Sequence, residues 1–441
     1  SQPVIRAESF VILARKISSW GSLGFLSGLV GLRIETAVKV LAVVLGSEGD
    51  MLPFAHLGVA LRDRGHQFVL AGFSEFGGSF RANGVDYIEL PGDYRALMKR
   101  LLGDSKGMMD TVLGIREMIS DAHVFDVLEH AMDGVDVVMY TQFSEVARLL
   151  GAARGVPSVR VQVFPTEPCL RYSLVDPRKL DGSVGALVTH WMSNTLMAWA
   201  MRPVIAAWRR RLGLRQRALS SPPTTIYQFS PALSPPAPEW KNHIHVTGEW
   251  LDPHHSELAL DPAVEEFVAA GSAPVLASFG SMVSDRVYDL QRWTRDACIE
   301  HGLRAIIVDP DHEPGVREGI LTVARVPFAT VLPWCRAGIC HGSLGTTGAI
   351  LRAGKPCLAV AFGGDQHFHA NAVCRNGAGP NYIDAQRGEL SAQSLAAGIA
   401  DLVSGAYDSA ARRMPELLAT DPGTVAAVEI VLNQSDLAKG E

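Results

Sequence analysis

The sequence predicts an α/β protein with two domains, each a doubly wound parallel sheet with helices on both faces. At 441 residues the chain has the length of two domains of about 200 residues each. Short, continuously apolar runs alternate with helical patterns, as in βαβ units. The clearest unit, residues 339–380, contains a strand, a glycine-rich loop, a helix and a second strand. Ligands bind such units beyond the carboxyl ends of the strands.

Composition narrows the class of protein. Hydrophobic residues make up 47% and charged residues 20% of the chain, as in ordinary globular proteins. The net charge of −6 argues against nucleic acid as a partner, because phosphate binding needs a basic surface. Six widely spaced cysteines without a CxxC pair predict reduced thiols, a cytoplasmic protein and no structural metal site. No run is long and apolar enough to span a bilayer.

Pattern changes along the chain predict the domain boundaries. Residues 1–37 are predicted to be an extension outside the fold, because their glycine-broken apolar segment has neither strand periodicity nor a signal-peptide cleavage site. A poorly ordered or non-native segment, an extra packed element and a membrane contact remain open for it. The first domain is predicted at 38–250, a linker at 251–272 and the second domain at 273–441.

The first domain is predicted to begin with a buried strand at residues 39–45, followed by a helix that ends before Gly65 and a strand at 68–72. Asp50 lies in the loop after the first strand and is a candidate general base. A free aspartate, with a pKa of about 3.9, is a weak base, so burial or a nearby carboxylate should raise its pKa. Alternatively, Asp50 caps a helix that begins near Leu52, and both roles are compatible.

Further along the first domain, residues 135–140 and 159–164 are predicted to be strands. The side chains of Gln142, Phe143 and Phe164 lie at or just beyond the ends of these strands and are candidates for the wall of a ligand cleft. Packing in the core is the alternative for the two phenylalanines.

Residues 184–208 form the most apolar helical stretch of the chain. Spacings of three and four residues place Val188, Met192, Leu196 and Trp199 on one face. Packing on a core or between domains, an apolar wall for a ligand, and contact with a membrane surface are the alternatives for this face. The membrane contact is not the favoured one.

The loop that follows the strand at 336–340 has the composition of an anion site. Glycines let the backbone approach a ligand closely, and the hydroxyls of Ser343, Thr346 and Thr347 can bond phosphate oxygens. A helix N-terminus contributes only about 0.3–1 kcal/mol at a surface and about 2 kcal/mol when partly buried. A diphosphate therefore needs a further donor or cation, which His341 can supply. A capped helix after a glycine-rich turn is the plain structural alternative.

The order of motifs in this half resembles the donor-binding signature of nucleotide-sugar-dependent glycosyltransferases of the GT-B fold, which have two facing Rossmann-like domains. The chain most resembles the bacterial natural-product enzymes of that family, which are related to rhamnolipid and sterol glycosyltransferases. Bacterial members usually have glycine where this chain has Ser343. The resemblance covers about residues 39–435 and rests on His341, Gly345–Thr347, Ala353–Pro356, Asp365, Gln366, Ala370, Gly377–Gly379 and the Gly49–Asp50 loop.

The resemblance implies a role for each matching residue. Asp50 faces the acceptor as the base, Asp365 and Gln366 hold the donor sugar, and the backbone near Val326 and Pro327 reads the nucleobase. The donor diphosphate is expected at His341, Ser343, Gly345, Thr346, Thr347, Gly280 and Ser281.

The resemblance further implies an inverting transfer from a UDP- or dTDP-sugar to a hydroxyl of a lipophilic small molecule, such as a polyketide or glycopeptide aglycone. It implies no metal and no other cofactor, so the acidic Asp309–Asp311 segment is not expected to bind a metal ion. A C-terminal helix should cross back to the first domain, and the protein should be a monomer or homodimer. The alternatives are a glycolipid- or sterol-forming transferase, a sugar-nucleotide epimerase and a non-catalytic donor-binding protein.

Overall fold

The computed structural model describes residues 37–94, 113–114, 116–117, 119–215, 222–252, 258–280 and 285–439. Nearly all of the predicted extension and residues 253–257 of the predicted linker lie outside these ranges.

The first sheet has seven parallel strands in the order β3-β2-β1-β4-β5-β6-β7. Its central strands are buried on both faces, which explains their continuous apolar pattern. The strands are β1 Lys39–Val43, β2 Gln67–Phe73, β3 Asp86–Leu90, β4 Val137–Tyr140, β5 Ser158–Gln162, β6 Thr224–Tyr227 and β7 Ile244–Val246.

The second sheet also has seven strands, in the order β10-β11-β9-β8-β12-β13-β14. All neighbours are parallel except β10 and β11, which form an antiparallel hairpin. The strands are β8 Val275–Ser278, β9 Ala305–Val308, β10 Gly315–Arg317, β11 Ile320–Val323, β12 Ala337–Cys340, β13 Cys357–Ala361 and β14 Ile383–Asp384.

Helices connect the strands and pack on the sheets. Those up to residue 211 are α1 Glu48–Asp63, α2 Ser74–Ala82, α3 Ala122–Ala131, α4 Glu145–Arg154, α5 Pro177–Leu180 and α6 Val184–Arg211. The later ones are α7 Pro262–Ala269, α8 Asp285–Glu300, α9 Phe328–Val331, α10 Leu344–Arg352, α11 Gln366–Arg375, α12 Ala392–Leu402, α13 Asp408–Leu418 and α14 Gly423–Lys439.

The strand order reverses direction once in each sheet, between β1 and β4 in the first and between β8 and β12 in the second. Loops at such a reversal diverge to opposite faces and leave a crevice at the carboxyl ends of the strands. The loops after β1, β8 and β12 all lie at these reversals. Gly280 and His341 lie in two of these loops and Asp50 in the first turn of α1 after the third, so the fold places these three candidate residues at crevice positions.

The two domains contact each other through aromatic side chains and ion pairs. Tyr172 and Phe229 of the first domain pack edge-on against Phe368 of the second, with ring centroids 5.3 and 4.9 Å apart. The ion pairs join Asp176 to Arg387 (2.6 Å), Asp181 to Arg375 (3.0 Å), Arg178 to Glu389 (2.7 Å), Glu48 to Arg325 (3.2 Å) and Glu249 to Arg352 (2.7 Å).

The chain returns to the first domain at its C-terminal end, as predicted. Ala427, Val428 and Val431 of α14 are buried in the hydrophobic core of the first domain. The returning segment runs beside the outgoing one, because the Gly423 amide donates to the Thr247 carbonyl and the Leu251 amide donates to the Thr424 hydroxyl.

Packing in the core was one alternative for the face predicted on residues 184–208, and this alternative is wrong. Val188, Met192, Leu196 and Trp199 are between 40% and 63% exposed. Another stripe of the same helix is buried instead, and it comprises Ala186, Thr189, His190, Ala200, Met201, Val204 and Trp208. The helix is apolar on both sides, so its periodicity did not distinguish the buried side from the exposed one.

Two predicted helix starts are also corrected. Helix α1 begins at Glu48, four residues before the predicted start, because Ser47 and Asp50 form a capping box there. Helix α10 begins at Leu344, so most of the segment that was predicted as a glycine-rich loop before this helix belongs to the helix.

All six cysteines carry free thiols. Among the described residues, every helix is too short or too polar to cross a bilayer.

Replacing Gly379 by alanine should destabilise the second domain, because a β-carbon at this position would overlap the carbonyl oxygen of Cys357 in the buried strand β13. Overpacking of this kind costs about 1–3 kcal/mol or more. Thermal unfolding measures the effect. Gly345→Ala is the control, since a β-carbon there meets no atom within 4 Å. Equal unfolding temperatures for the two variants would contradict the packing at Gly379.

Candidate functional site

His341 lies directly after β12 and is almost fully buried. Its ring packs against Gly280, where a β-carbon would come within 2.7 Å of the imidazole. Burial lowers the pKa of His341 to about 4, and the Ser278 carbonyl offsets only part of that shift. The ring is therefore neutral near pH 7, and its Nδ1 has no hydrogen-bond partner among the described residues. His341 can act there as a hydrogen-bonding group but not as a resident cation.

The N-terminus of α10 supplies backbone donors beside His341. Its first N–H groups have no partner within the helix, as in any α-helix, until the Thr347 amide donates to the Ser343 carbonyl at 3.1 Å. A β-carbon added at Gly345 would have no neighbouring atom within 4 Å, so a ligand can approach the backbone there. The N-terminus thus has the properties of an anion site.

The three hydroxyls of this segment have different surroundings. Ser343 occupies the N-cap position, but its side chain makes no capping hydrogen bond. Thr346 is buried, and the Thr347 hydroxyl lies 3.4 Å from the Cys340 sulfur. Thr347 therefore contacts the strand beneath the loop, whereas the Ser343 hydroxyl is not committed to the cap.

The loop between β13 and α11 brings Asp365 and Gln366 to the same edge of the sheet. Gly363 and Gly364 have positive φ angles, which shape the turn. The Phe362 amide donates to Gln366 Oε1 at 2.7 Å, so this side chain also fixes the loop. Gly342 packs against the backbone of Gln366, because a β-carbon added at Gly342 would lie 2.9 Å from the Gln366 carbonyl oxygen. This contact joins the loop after β12 to the loop after β13.

Asp50 is the third residue of α1 and completes the capping box. Its Oδ2 accepts hydrogen bonds from the Ser47 amide at 2.7 Å and from the Ser47 hydroxyl at 2.8 Å. Oδ1 takes part in neither bond. Burial raises the pKa of Asp50 above its ordinary value, and the Ser47 bonds oppose that rise. Asp50 remains exposed to solvent, yet the surrounding protein removes part of the hydration of its carboxylate.

Asp365 of the second domain lies in electrostatic reach of Asp50 of the first. Burial raises the pKa of Asp365 to about 7, and the negative charge of Asp50 contributes to the rise. Both carboxylates also raise the pKa of Tyr94, after the larger effect of its burial, and Tyr94 hydrogen bonds to Ser47. The predicted base and a predicted sugar ligand therefore share one cleft between the domains.

His369 is a residue of this site that sequence reasoning missed. It is buried on α11, with Nε2 3.7 Å from Asp365 Oδ2, and it bonds the Val163 carbonyl just after β5. Burial lowers its pKa to about 3, so the ring is neutral near pH 7. Its spacing of four residues from Asp365 on one helix was the signal available in the sequence.

The remaining predicted donor-site residues that the structure describes follow strands of the second sheet. Val326 and Pro327 follow β11, next to Arg325, which pairs with Glu48 of the first domain. Gly280 lies under His341, and Ser281 is outside the described residues.

The predicted acceptor-wall residues lie on the first-domain side. Gln142 and Phe143 form a 3-10 turn after β4, and Phe143 also packs against the first core. Phe164 follows β5 and packs against the aromatic cluster that contains Phe368. The role of these three residues in an acceptor cleft stays a prediction.

The acidic side chains after β9 bond to neighbouring residues of the protein. Asp309 is buried, pairs with His312 at 2.7 Å and accepts the Asp311 amide at 3.1 Å. The Tyr288 hydroxyl donates to Asp311 at 3.1 Å.

Replacing Ser343 by alanine should change the free energy of unfolding little, because its hydroxyl makes no capping bond. Ser391 is the matched control, since its hydroxyl accepts the Ser394 amide in a complete capping box. Ser391→Ala should cost about 1 kcal/mol, the usual value for a lost cap. Chemical denaturation of both variants measures the difference. An equal loss in both would show that Ser343 caps α10 after all.

Replacing Asp365 by asparagine should make the protein relatively more stable as pH rises. The wild-type carboxyl has a pKa of about 7 when folded and about 3.9 when unfolded, so the folded state binds more protons between these values. Wild-type stability should therefore fall, relative to the variant, from about pH 4 to about pH 7. Denaturant unfolding at several pH values gives the difference. A pH-independent difference would contradict the raised pKa.

Comparison with protein families supports the sequence resemblance. Residues 304–433 match the family described as erythromycin biosynthesis protein CIII-like, C-terminal domain. O-mycaminosyltylonolide 6-deoxyallosyltransferase of Streptomyces fradiae is 26% identical over 413 residues, covering 89% of this chain and 97% of the relative. Sterol 3-beta-glucosyltransferase of Debaryomyces hansenii is also 26% identical, over 92% of this chain. The chain spans only 27% of the length of that yeast relative.

Solved structures share the architecture. The Streptomyces sp. SF2575 glycosyltransferase SsfS6, complexed with thymidine diphosphate, superposes with a TM-score of 0.60 at 18% identity, covering 90% of this chain and 99% of that one. At this identity the likeness shows the fold, which confirms the predicted pair of facing α/β domains. The chain thus resembles the EryCIII-like C-terminal domain over residues 304–433, and the relatives and solved structures that it resembles are glycosyltransferases.

Proposed function

We propose that the protein is a hexosyltransferase that moves a sugar from a UDP- or dTDP-sugar to a hydroxyl of a lipophilic small molecule, with inversion at the anomeric carbon. One observation carries this proposal. The negative charge of Asp50, on the first domain, contributes to the raised pKa of Asp365, on the second, so the two carboxyl groups lie close together across the domain boundary. The anion-binding loop of His341 lies at the same edge of the second sheet.

The donor diphosphate would bind at the N-terminus of α10. Backbone N–H groups near Gly345 offer hydrogen bonds and the partial positive charge of the helix. The unpartnered Nδ1 of His341 adds a further bonding group. These groups stabilise the charge that develops on the leaving diphosphate, which is the role of a preorganised anion site in a transfer reaction. In this reaction these groups, and no metal ion, would bind the diphosphate.

The acceptor hydroxyl would lose its proton to Asp50 while its oxygen attacks the anomeric carbon. The bond from that carbon to the diphosphate oxygen breaks, and the electron pair leaves with the nucleoside diphosphate. Attack on the face opposite the leaving group inverts the configuration. The raised pKa of Asp50 makes it a better base than a free aspartate, and the Ser47 bonds hold the carboxylate in place.

Asp365 and Gln366 would contact hydroxyls of the donor sugar. With a pKa of about 7, Asp365 is present both as acid and as carboxylate near neutral pH, so it can donate or accept a hydrogen bond. The buried ring of His369 lies beside Asp365, with its Nε2 3.7 Å from Asp365 Oδ2. Val326 and Pro327, at the end of β11, would offer backbone groups to the nucleobase.

The names of the relatives support a proposal for the class of acceptor. The macrolide and sterol named for the two relatives are both lipophilic alcohols, which supports an acceptor of that chemistry. A polyketide or glycopeptide aglycone is the favoured class, and a sterol or glycolipid is the second.

Replacing Asp50 by asparagine should lower the transfer rate about 10²–10⁴-fold, the usual contribution of a positioned base. Nucleotide binding should stay unchanged, because Asp50 lies in the first domain. Transfer from UDP- and dTDP-hexoses to a panel of lipophilic alcohols, read by mass spectrometry, is the measurement. Ser47→Ala is the matched control, since it breaks the capping box but keeps the carboxylate.

Ser47→Ala should lose about 1 kcal/mol of stability but far less activity than Asp50→Asn. Full activity of Asp50→Asn would refute the base assignment. Nucleotide binding without transfer to any acceptor would instead favour a donor-binding protein without catalytic activity.

A further inference from the structure

Helix α6 presents a wide apolar surface to solvent. We call this surface the apolar face of α6. Trp191 and Trp199, the largest side chains on it, are 68% and 63% exposed. A contiguous exposed patch that includes two tryptophans is unusual on a protein that meets only water. The face comprises Val184, Leu187, Val188, Trp191, Met192, Leu196 and Trp199.

The opposite side of α6 is already occupied by the protein. Asn194 donates to the Thr166 carbonyl, and a ring nitrogen of His190 bonds the Tyr172 carbonyl at 2.8 Å. The Trp208 side chain donates to the Ile119 carbonyl at 3.2 Å. Rotation of the helix to bury its apolar face would break these contacts, so the face is held outward.

Every acidic or basic charge carried by α6 itself is basic. The helix contains four arginines and no aspartate or glutamate in 28 residues. Arg202 and Arg210 are exposed and continue the apolar face at helical spacing from Trp199. The acidic side chains just before the helix are neutralised in ion pairs, Asp176 with Arg387 and Asp181 with Arg375.

An apolar strip with tryptophans that ends in exposed arginines fits the surface of an anionic bilayer. The apolar side chains can enter the boundary between headgroups and acyl chains, tryptophan is favoured at that depth, and arginine pairs with lipid phosphates. Each arginine near an anionic surface contributes about 1 kcal/mol. A protein partner would need its own complementary acidic and apolar surface.

We propose that the apolar face of α6 docks the protein on membranes that contain anionic lipids. The face belongs to the first domain, and its helix packs on the segment that follows β5, whose Tyr172 contacts Phe368 of the second domain. Docking would therefore bring the proposed acceptor side of the cleft close to the membrane, where lipophilic alcohols dissolve.

Sedimentation of the full chain with lipid vesicles measures membrane binding directly. No sugar transfer is needed, so the result does not depend on the proposed transfer activity. The chain should bind vesicles of phosphatidylcholine with one quarter phosphatidylglycerol, and bind pure phosphatidylcholine more weakly. Raising the salt from about 0.1 M to about 0.5 M should weaken the binding to anionic vesicles, since the Debye length shortens.

Substitutions on the face separate its two contributions. The double variant Trp191→Ser/Trp199→Ser should lower the partition coefficient at least about tenfold, because two large apolar side chains are lost. The double variant Arg202→Gln/Arg210→Gln should lower binding to anionic vesicles only. Trp334→Ser is the matched control, since Trp334 is 57% exposed on the second domain and should have no effect.

Three outcomes would overturn the proposal. One is that the full chain binds neither kind of vesicle. Another is that the double tryptophan variant binds as well as the wild type, which would assign membrane binding to another segment, such as residues 1–36. The third is that light scattering shows a dimer that this variant dissociates, which would make the face a contact between two copies of the chain.

Discussion

The placement of two carboxyl groups from different domains in one cleft is the constraint on which this site depends. Asp50 enters from the capped start of α1, and Asp365 enters from the glycine turn before α11. Each group loses hydration there, and the charge of Asp50 disfavours a second charge on Asp365. This repulsion is sustained because ion pairs and edge-on aromatic contacts elsewhere hold the domains together. The ionisation of the site therefore depends on how the two domains sit against each other.

Much of the second domain could be predicted because its signals are local. A strand buried on both faces is apolar along its whole length, so the strands that end near Gly280, His341 and Phe362 were visible in the sequence. The glycines of the loops reflect backbone needs that only glycine meets, such as the positive φ of Gly342 and Gly364. Because carboxyl ends of parallel strands share one edge, the grouping of these loops followed from the fold.

The features that escaped prediction depend on contacts between distant segments. The role of His369 requires Val163 of the other domain and Asp365 together, which no local pattern encodes. For α6, both sides of the helix are apolar, and tertiary contacts alone decide which side is buried. For Asp50, base and cap were separate alternatives in the sequence, whereas in the structure the capping bonds hold the carboxylate that would act as the base.

The return of the chain through α14 has a mechanical consequence. The two covalent connections between the domains run side by side, joined by the bonds of Thr247 to Gly423 and of Leu251 to Thr424. Gly248 and Gly423 both have positive φ angles at this point. Because the two connecting segments lie side by side, a single axis passes through both. A rotation of the domains about this axis would stretch neither connection. The interdomain ion pairs that lie away from this axis would have to break before the domains could rotate apart.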